Sequence, residues 1–424
     1  FRSGKNMNKF KKVQTDTQKE ALANSIKAIH KNLGKDSINF LGKMRQNVVA
    51  LDTGSILINN AIGVGGIPLG KLVEIYGPES SGKTTLCLQI AAQTQKAGGT
   101  IAFIDQEHAL NQKYAKDLGL DLNKMIFSQP DSAEDSLTQI ETLVNSGSVD
   151  LIIVDSVAAM TTRAESEGDF GDAHVAQLPR LLSASLKKIV PIANTNKCTI
   201  IFINQIRDKI GVMGYGPKTI TPGGHSLKFN ASVRINIKRT GALKGVGTGP
   251  DIGNTVKIKV EKNKVAAPFK EASLELYFGE GISKEADILI IAEKDDSIGF
   301  LEKVGNTYHY STDENCDNIK NTTKLGGTKT KARLFLKENP DLVKEITDRL
   351  ELIEIVKNFK EMGNDIKDQL LFLKYFDKNE IDLILEKLTV SEKSTFEKDK
   401  KEFLSNLKGE DKEEFEDEIK EMKK

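Results

Sequence analysis

The sequence predicts an α/β fold: a core with a mixed, mainly parallel sheet, a small helical segment before it and a small α+β domain after it. Four apolar runs alternate with helical stretches, which is typical of a parallel sheet covered on both faces. Three later runs alternate polar with apolar residues and follow one another closely, as antiparallel strands do. The seven runs are Leu72–Tyr76, Ile101–Ile104, Leu151–Val154, Thr199–Ile203, Val233–Ile237, Val256–Val260 and Leu274–Phe278.

The first segment, residues 1–45, contains one amphipathic helix. Thr17-Gln18-Lys19-Glu20 is a capping-box pattern. Apolar residues then recur at helical spacing up to Leu33, and Gly34 is a suitable end. Because Met7 is a plausible start, residues 1–6 are interpreted as an extension outside the fold.

The remaining chain divides into the core at 46–282, the small domain at 283–350 and a lysine- and glutamate-rich extension at 351–424. Seven of the nine residues 410–418 are acidic, which is more typical of a solvated helix or tail than of a core. Three interpretations of the extension stay open: electrostatic screening of a polyanion-binding surface, binding of another protein, or a solvated helix.

Composition indicates an ordinary soluble protein. Among 424 residues, Lys and Arg number 61 and Asp and Glu 60, giving a formal net charge of +1, so attraction to polyanions must be local. Three distant cysteines form neither a disulfide framework nor a zinc pattern, and no segment approaches about 20 uninterrupted apolar residues. These observations favour a cytoplasmic location and no membrane partner.

A complete phosphate-binding loop follows the first predicted strand and precedes a helical stretch. Glycines let successive backbone amides point at phosphate oxygens, a lysine reaches the β and γ phosphates, and a Thr hydroxyl can ligate Mg²⁺. The pattern predicts binding of a nucleoside triphosphate. Its residues are Gly77, Pro78, Glu79, Ser80, Ser81, Gly82, Lys83 and Thr84, followed by Thr85.

Polar residues end three further strands. Asp155 is placed to bind Mg²⁺ together with Thr84, since a strand-end carboxylate about 70 residues after such a loop usually does. Glu107 could activate the attacking water or cap the next helix, and both interpretations stay open. Gln205 could contact the γ phosphate or be only a hydrogen-bonded strand end.

Two glycine-rich stretches, 165–172 and 206–224, interrupt the sheet where ligand-binding loops of parallel sheets lie. Basic and apolar residues are interspersed in the second, a composition suited to phosphates and bases. A nucleic-acid-binding loop and a mobile lid both stay open. The candidate contacts are Gly168, Phe170, Gly171, Arg207, Lys209, Gly211, Val212, Met213, Gly223 and Gly224.

The order of these motifs resembles that of bacterial RecA recombinases from about Thr17 to Leu350. The matching segments are Gly77–Thr85, Phe103–Leu110, Val154–Ala159, Ile203–Arg207, Lys209–Met213 and Lys262–Lys270. The resemblance implies a RecA-type P-loop NTPase core with two DNA-binding loops, and a polymerisation segment within residues 1–45.

The resemblance also implies roles for individual residues. Glu107, Lys83 and Gln205 become the catalytic set, with Gln205 as γ-phosphate sensor, and Tyr114 stacks on adenine. Asn111 stands where the family more often has an acid near the adenine amino group. Arg180 is implied as a basic DNA contact. Residues implied to reach ATP of a neighbouring subunit are Lys262, Lys264, Lys228 and Phe229. Lys228, Phe229 and Arg234 also match positions linked to subunit contact and to signalling between ATP and DNA sites.

The implied activity is a DNA-dependent ATPase that forms a filament on single-stranded DNA and catalyses homologous pairing and strand exchange. ATP and Mg²⁺ are the implied cofactors, and the partners are single- and double-stranded DNA, further copies of the chain and, in an SOS response, a LexA-type repressor. Two rivals are a RecA-fold ATPase acting with a protein or helicase partner, and a DNA-coating scaffold without hydrolysis.

Overall fold

The computed structural model describes residues 15–34, 37–38, 48–169, 176–208, 219–245, 249–294, 298–312, 322–361, 369–370, 373 and 378–406. The chain separates into two units, residues 1–49 and 50–424, and each is described by itself.

The first unit contains helix α1, Asp16–Leu33. Its capping box starts two residues before the predicted one. The Thr15 hydroxyl accepts from the Gln18 amide at 3.4 Å, and the Gln18 side chain accepts from the Thr15 amide at 3.2 Å. Gly34 ends the helix with a φ of 96°, as predicted.

The second unit contains the strands. They are β1 Ala50–Leu51, β2 Ile67–Pro68, β3 Leu72–Gly77, β4 Ile101–Asp105, β5 Met125–Ser128, β6 Leu151–Asp155, β7 Thr199–Gln205, β8 Arg207–Asp208, β9 Thr219–Ile220, β10 Val233–Lys244, β11 Asp251–Asn263, β12 Glu271–Tyr277, β13 Gly281–Ile282, β14 Leu301–Val304, β15 Thr307–Ser311 and β16 Thr322–Gly326.

Nine strands form the central sheet in the order β13-β12-β11-β10-β3-β7-β6-β4-β5. All pairs from β10 to β5 are parallel, and those from β10 to β13 are antiparallel. The mixed, mainly parallel sheet confirms the predicted fold class. The run Val233–Ile237 was predicted to be one of three antiparallel strands. In β10 it is antiparallel to β11 but parallel to β3, so the prediction is only partly correct.

The helices of the second unit cover this sheet and form the later part of the chain. They are α2 Ile56–Ile62, α3 Lys83–Lys96, α4 Gln112–Asp117, α5 Ala133–Asn145, α6 Arg163–Glu167, α7 Gln177–Thr195, α8 Ser226–Asn230, α9 Lys284–Lys294, α10 Lys329–Glu338, α11 Pro340–Glu361, α12 Lys378–Glu386 and α13 Val390–Asn406, with 3-10 turns at Leu122–Lys124 and Val157–Ala159. Within the described ranges, none of the helices is both long and apolar enough to cross a membrane.

Both faces of the sheet are buried. Along β6, Ile153 packs into a cluster with Leu86 of α3, whereas Ile152 packs into a second cluster with Leu186 of α7. Successive strand side chains point to opposite faces, so a strand covered on both sides is apolar throughout. This explains the continuous apolar runs in the sequence.

After the sheet, α9, α10 and the antiparallel sheet β14-β15-β16 share one apolar core with the start of α11. Helix α11 continues through residue 350, where the small domain was predicted to end. Residues beyond it form another buried cluster, in which Phe359 and Phe396 meet edge to face. The acidic run 410–418 lies outside the described residues.

A buried carboxylate connects this domain to the core. The Ser55 hydroxyl, which also caps α2, donates to Asp287 Oδ2 on α9, while Asp287 Oδ1 has no partner. Burial raises the pKa of Asp287 to about 7, against the opposing hydrogen bonds from Ser55 and the backbone of Leu57. The folded state therefore holds a proton here that the unfolded chain releases at lower pH.

Asp287→Asn should change how stability depends on pH. Because folding raises this pKa, ionisation of Asp287 destabilises the parent as pH rises from about 4, its unfolded value, to about 7. The free energy of unfolding of the parent, minus that of the variant, should fall across this window and then level off. Urea unfolding at several pH values measures it. Exposed Asp341→Asn is the control, and parallel curves for the parent and Asp287→Asn would contradict the prediction.

Candidate nucleotide-binding site

The parallel strands bring several polar side chains to one edge of the sheet. Gly77 at the end of β3 lies in register with Gln205 at the end of β7. Asp155 at the end of β6 lies in register with Asp105 of β4, and the Glu107 amide donates to the Asp155 carbonyl at 3.1 Å. The predicted strand ends therefore meet beside the phosphate loop.

The loop backbone has little space for side chains. A Cβ on Gly77 would collide with the Ile237 carbonyl oxygen of β10, and Gly82 has a φ of 94°, which favours glycine. Ser81 Oγ is buried without a hydrogen-bond partner, and Lys83 Nζ donates to the Pro78 carbonyl at 2.7 Å. An unpartnered hydroxyl and a lysine bonded to its own loop fit a site that receives phosphate oxygens.

The phosphate loop opens into a cavity of about 530 Å³. Most of the candidate nucleotide- and metal-binding residues line it, together with five residues of β11, β12 and the turn that follows. The lining is Glu79, Ser80, Ser81, Gly82, Lys83, Thr84, Thr85, Glu107, Tyr114, Asp155, Gln205, Asn254, Val256, Leu276, Phe278 and Gly279.

Thr84 and Asp155 form the candidate metal position. Thr84 Oγ1 donates to Asp155 Oδ2 at 2.6 Å. Burial raises the pKa of Asp155 to about 6, opposed by this hydrogen bond and reinforced by the charges of Glu107 and Asp105. In the described part of the chain, no three His, Cys, Asp or Glu residues form a metal cluster. A hydroxyl and one carboxylate suit Mg²⁺, which keeps waters and phosphate oxygens as its other ligands.

Glu107 and Gln205 meet across the cavity. Glu107 Oε1 accepts from Gln205 Nε2 at 3.1 Å and from Ser156 Oγ at 2.6 Å. The two donors fix the carboxylate of the candidate base. Ser156, which sequence reasoning missed, directly follows the strand-end Asp155. That position was the available signal for its role.

Burial also lowers the pKa of Lys83, although the charges of Asp155 and Glu107 oppose the shift. A lysine and a carboxylate in the same cavity thus both lose part of their preference for the charged form. An anionic ligand beside Lys83 and a cation beside Asp155 would restore it.

Two aromatic side chains also line the cavity. The Tyr114 hydroxyl lies 3.0 Å from Thr85 Oγ1, and Phe278, which is 56% exposed, lines the same cavity. The Asn111 side chain caps α4 by accepting from the Tyr114 amide at 3.0 Å and does not line the cavity. Sequence reasoning missed Phe278 and Asn254; Phe278 ends a predicted strand, which was the available signal.

The four residues assigned to a neighbouring subunit's ATP lie together outside this cavity. Lys262 Nζ donates to the carbonyls of Lys228 at 2.7 Å and of Phe229 at 3.0 Å, while Lys264 Nζ lies 3.5 Å from the latter. Burial, followed by the charges of Lys264 and Arg234, lowers the pKa of Lys262 to about 8. The Phe229 side chain is exposed.

The candidate DNA contacts are only partly described. Gly168 ends α6, Arg180 is exposed on α7, and Arg207 is exposed on β8. Gly223 and Gly224 have φ of 83° and 70°, so both need glycine. Phe170, Gly171, Lys209, Gly211, Val212 and Met213 lie outside the described residues.

Comparison with known proteins agrees with this architecture. The family model described as the RecA N-terminal domain matches residues 20–283. The protein RecA of Campylobacter lari is 47% identical over 337 residues, covering 79% of this chain and 94% of that protein. The protein RecA of Helicobacter hepaticus is 48% identical over 337 residues, covering 79% and 93%.

A crystal structure of the RadB recombinase aligns with a TM-score of 0.42 at 23% identity, covering 55% of this chain and 98% of that chain. The sequence matches decide the assignment, since the family model spans the whole core and the relatives match over nearly their whole length. The chain belongs to the RecA family.

Proposed function

We propose that this chain is a DNA-dependent ATPase that assembles into a filament on single-stranded DNA and catalyses homologous pairing and strand exchange in recombination and repair. The observation that carries the proposal is the single cavity into which the phosphate loop, Glu107, Asp155 and Gln205 converge. Family membership supplies the class of reaction.

ATP is the proposed substrate. The triphosphate lies along residues 79–84, with Lys83 released from the Pro78 carbonyl to meet it. Tyr114 and Phe278, which line the same cavity, offer apolar surface for the base. Mg²⁺, held by Thr84 and Asp155, would neutralise charge that develops on the phosphates.

Glu107 is the proposed base that orients the attacking water, and Gln205 the proposed sensor of the γ phosphate. Their mutual hydrogen bond must break for the Gln205 amide to turn toward a phosphate. Gln205 leads through Ile206 directly into β8 and the second glycine-rich stretch. Nucleotide occupancy can therefore change the position of the proposed DNA-binding loop.

Self-assembly is supported by the exposed edge strand β5. Ile126 and Phe127 are 41% and 44% exposed, and Ile126 lines an apolar groove of about 280 Å³ beside α5. Gln139 Oε1, also at this groove, is buried without a partner. A strand edge with apolar side chains is a template for pairing with another chain, here a second copy. Lys262 and Lys264 of that filament would then complete a neighbouring site.

Two further proposals concern the cellular location and the partners of the chain. Buried free thiols at Cys87 and Cys198 accord with a reducing cytoplasm. Double-stranded DNA follows as second partner from strand exchange, and a LexA-type repressor rests on the resemblance to the family alone.

Lys83→Ala should abolish hydrolysis, because no other described cation of the cavity lining can meet the β and γ phosphates. Phosphate release with poly-dT should fall at least about 100-fold, the scale expected when a main electrostatic contact to the transition state is lost. Lys96→Ala, at the exposed end of the same helix, should keep parental activity. Parental hydrolysis by Lys83→Ala would contradict the assignment, and lack of poly-dT stimulation in the parent would favour an ATPase with a protein partner.

Gln205→Ala should keep nucleotide binding but uncouple it from DNA, because the phosphate contacts of the loop remain while the sensor is lost. Anisotropy of labelled poly-dT, with and without a non-hydrolysable ATP analogue, measures this coupling. Gln95→Ala, on α3 and outside the cavity, is the matched control. Equal DNA affinity with and without nucleotide in the parent would refute the switch itself.

Phe127→Asp should weaken assembly, because a charge on the β5 edge opposes burial against a second copy. DNA-stimulated hydrolysis should be lost at low protein concentration and partly recovered at high concentration. Sedimentation measures assembly directly, and Leu334→Asp, an exposed apolar residue of α10, is the control. Unchanged sedimentation of Phe127→Asp would exclude this edge as the contact.

A further inference from the structure

A buried polar network connects β7, which ends in the proposed sensor Gln205, with β11, which carries Lys262. Its centre is Glu74 on β3, whose side chain is 0% exposed. Glu74 Oε2 accepts from Arg234 Nε at 2.5 Å, and Glu74 Oε1 accepts from Asn204 Nδ2 at 3.0 Å. Both carboxylate oxygens are therefore occupied by side chains of the two neighbouring strands.

On the sensor side, Asn204 directly precedes Gln205. Its Oδ1 accepts from the Gln205 amide at 3.0 Å, and its Nδ2 also donates to the Pro222 carbonyl at 3.0 Å. Pro222 precedes Gly223 at the end of the second glycine-rich stretch. One buried amide thus holds the sensor backbone, the base of that stretch and Glu74.

Toward Lys262, the strand register extends the connection from Glu74. Arg234 lies directly opposite Glu74 on one side and Lys262 on the other. The register shifts after Arg234, because Ile235 pairs with Val260 and leaves Glu261 as an extra residue. Such a bulge re-aims the side chains next to it, so the position of Lys262 depends on how β10 and β11 are held here.

A second contact secures the bulge. The Tyr76 hydroxyl donates to Glu261 Oε2, and Asn236 Nδ2 lies 3.4 Å from Glu261 Oε1. The Arg234 guanidinium lies 4.4 Å from the centre of the Tyr76 ring. The bulge and the buried ion pair are therefore joined through one tyrosine.

A buried ion pair contributes little net stability, since desolvation cancels much of the attraction, but it fixes geometry. We propose that Glu74 is a positioning residue that couples the γ-phosphate sensor of one site to the lysines presented to the neighbouring site. This rests on the proposed function, because the lysines act only in an assembled ATPase. Turning of Gln205 would shift Asn204, and Glu74 and Arg234 would transmit the shift to Lys262.

Glu74→Gln tests the coupling, because the neutral amide keeps the shape but presents a donor where both neighbours donate. Binding of a fluorescent ATP analogue by the unassembled chain should stay within about twofold of the parent, while poly-dT-stimulated hydrolysis falls at least about tenfold. Combining it with Gln205→Ala should add little further loss, since both act on one route. Glu275→Gln, the same change at a buried carboxylate of β12 outside the network, should keep parental stimulation.

The outcomes separate the two proposals. If poly-dT does not stimulate hydrolysis by the parent, the recombinase function is refuted. If Glu74→Gln is stimulated as strongly as the parent, or if the losses multiply in the double variant, only the coupling is refuted. If Glu74→Gln does not fold, Tyr76→Phe decides: it removes only the hydroxyl to Glu261 and leaves the ion pair. It should lower stimulated hydrolysis about threefold with unchanged nucleotide binding, and parental stimulation there overturns the proposal.

Discussion

The close approach of the phosphate loop to strand β10 is the constraint on which the site depends. Gly77 abuts the Ile237 carbonyl, so β3 is packed tightly between β7 and β10 at the point where the loop begins. On one side lie the ends of β7, β6 and β4 with their polar side chains. On the other lies the β10–β11 hairpin, which carries Lys262. One loop is thereby placed between the parts proposed to sense nucleotide and to act on a neighbour.

Charge in the cavity is incompletely compensated within the chain. The pKa of Asp155 is raised and that of Lys83 lowered, and burial is the main cause of both shifts. Opposite shifts in one cavity mean that each group prefers a partner that the protein does not fully supply. A triphosphate with a divalent cation supplies both charges at once, which is why these residues fit that ligand better than a neutral one.

The sequence predicted the parts of the site that depend on strand ends. Asp155, Glu107 and Gln205 each follow a continuous apolar run, and parallel strands necessarily bring such ends to one edge. Phe278 and Asn254 were missed because β11 and β12 join the sheet by antiparallel pairing, whose register no motif specifies. The resemblance to the family implied that Asn111 lies near the base. Its side-chain oxygen caps α4, a local use that spacing did not reveal, and its contact with the base stays a prediction.

The Glu74 network also depends on strand pairing that no sequence motif specifies. Glu74 stands in an apolar run and looks like an isolated exception to it, and only pairing reveals that Arg234 lies opposite. The bulge at Glu261 then decides which side chains of β11 face Tyr76, because one extra residue reverses the alternation. Burial and nearby cations lower the pKa of Lys262 to about 8. The two carbonyls beside it accept its hydrogen bonds but provide no negative charge. A phosphate from outside the subunit would supply negative charge beside Lys262. The geometry of β11 and the electrostatics of Lys262 therefore both favour the proposed site that assembly completes.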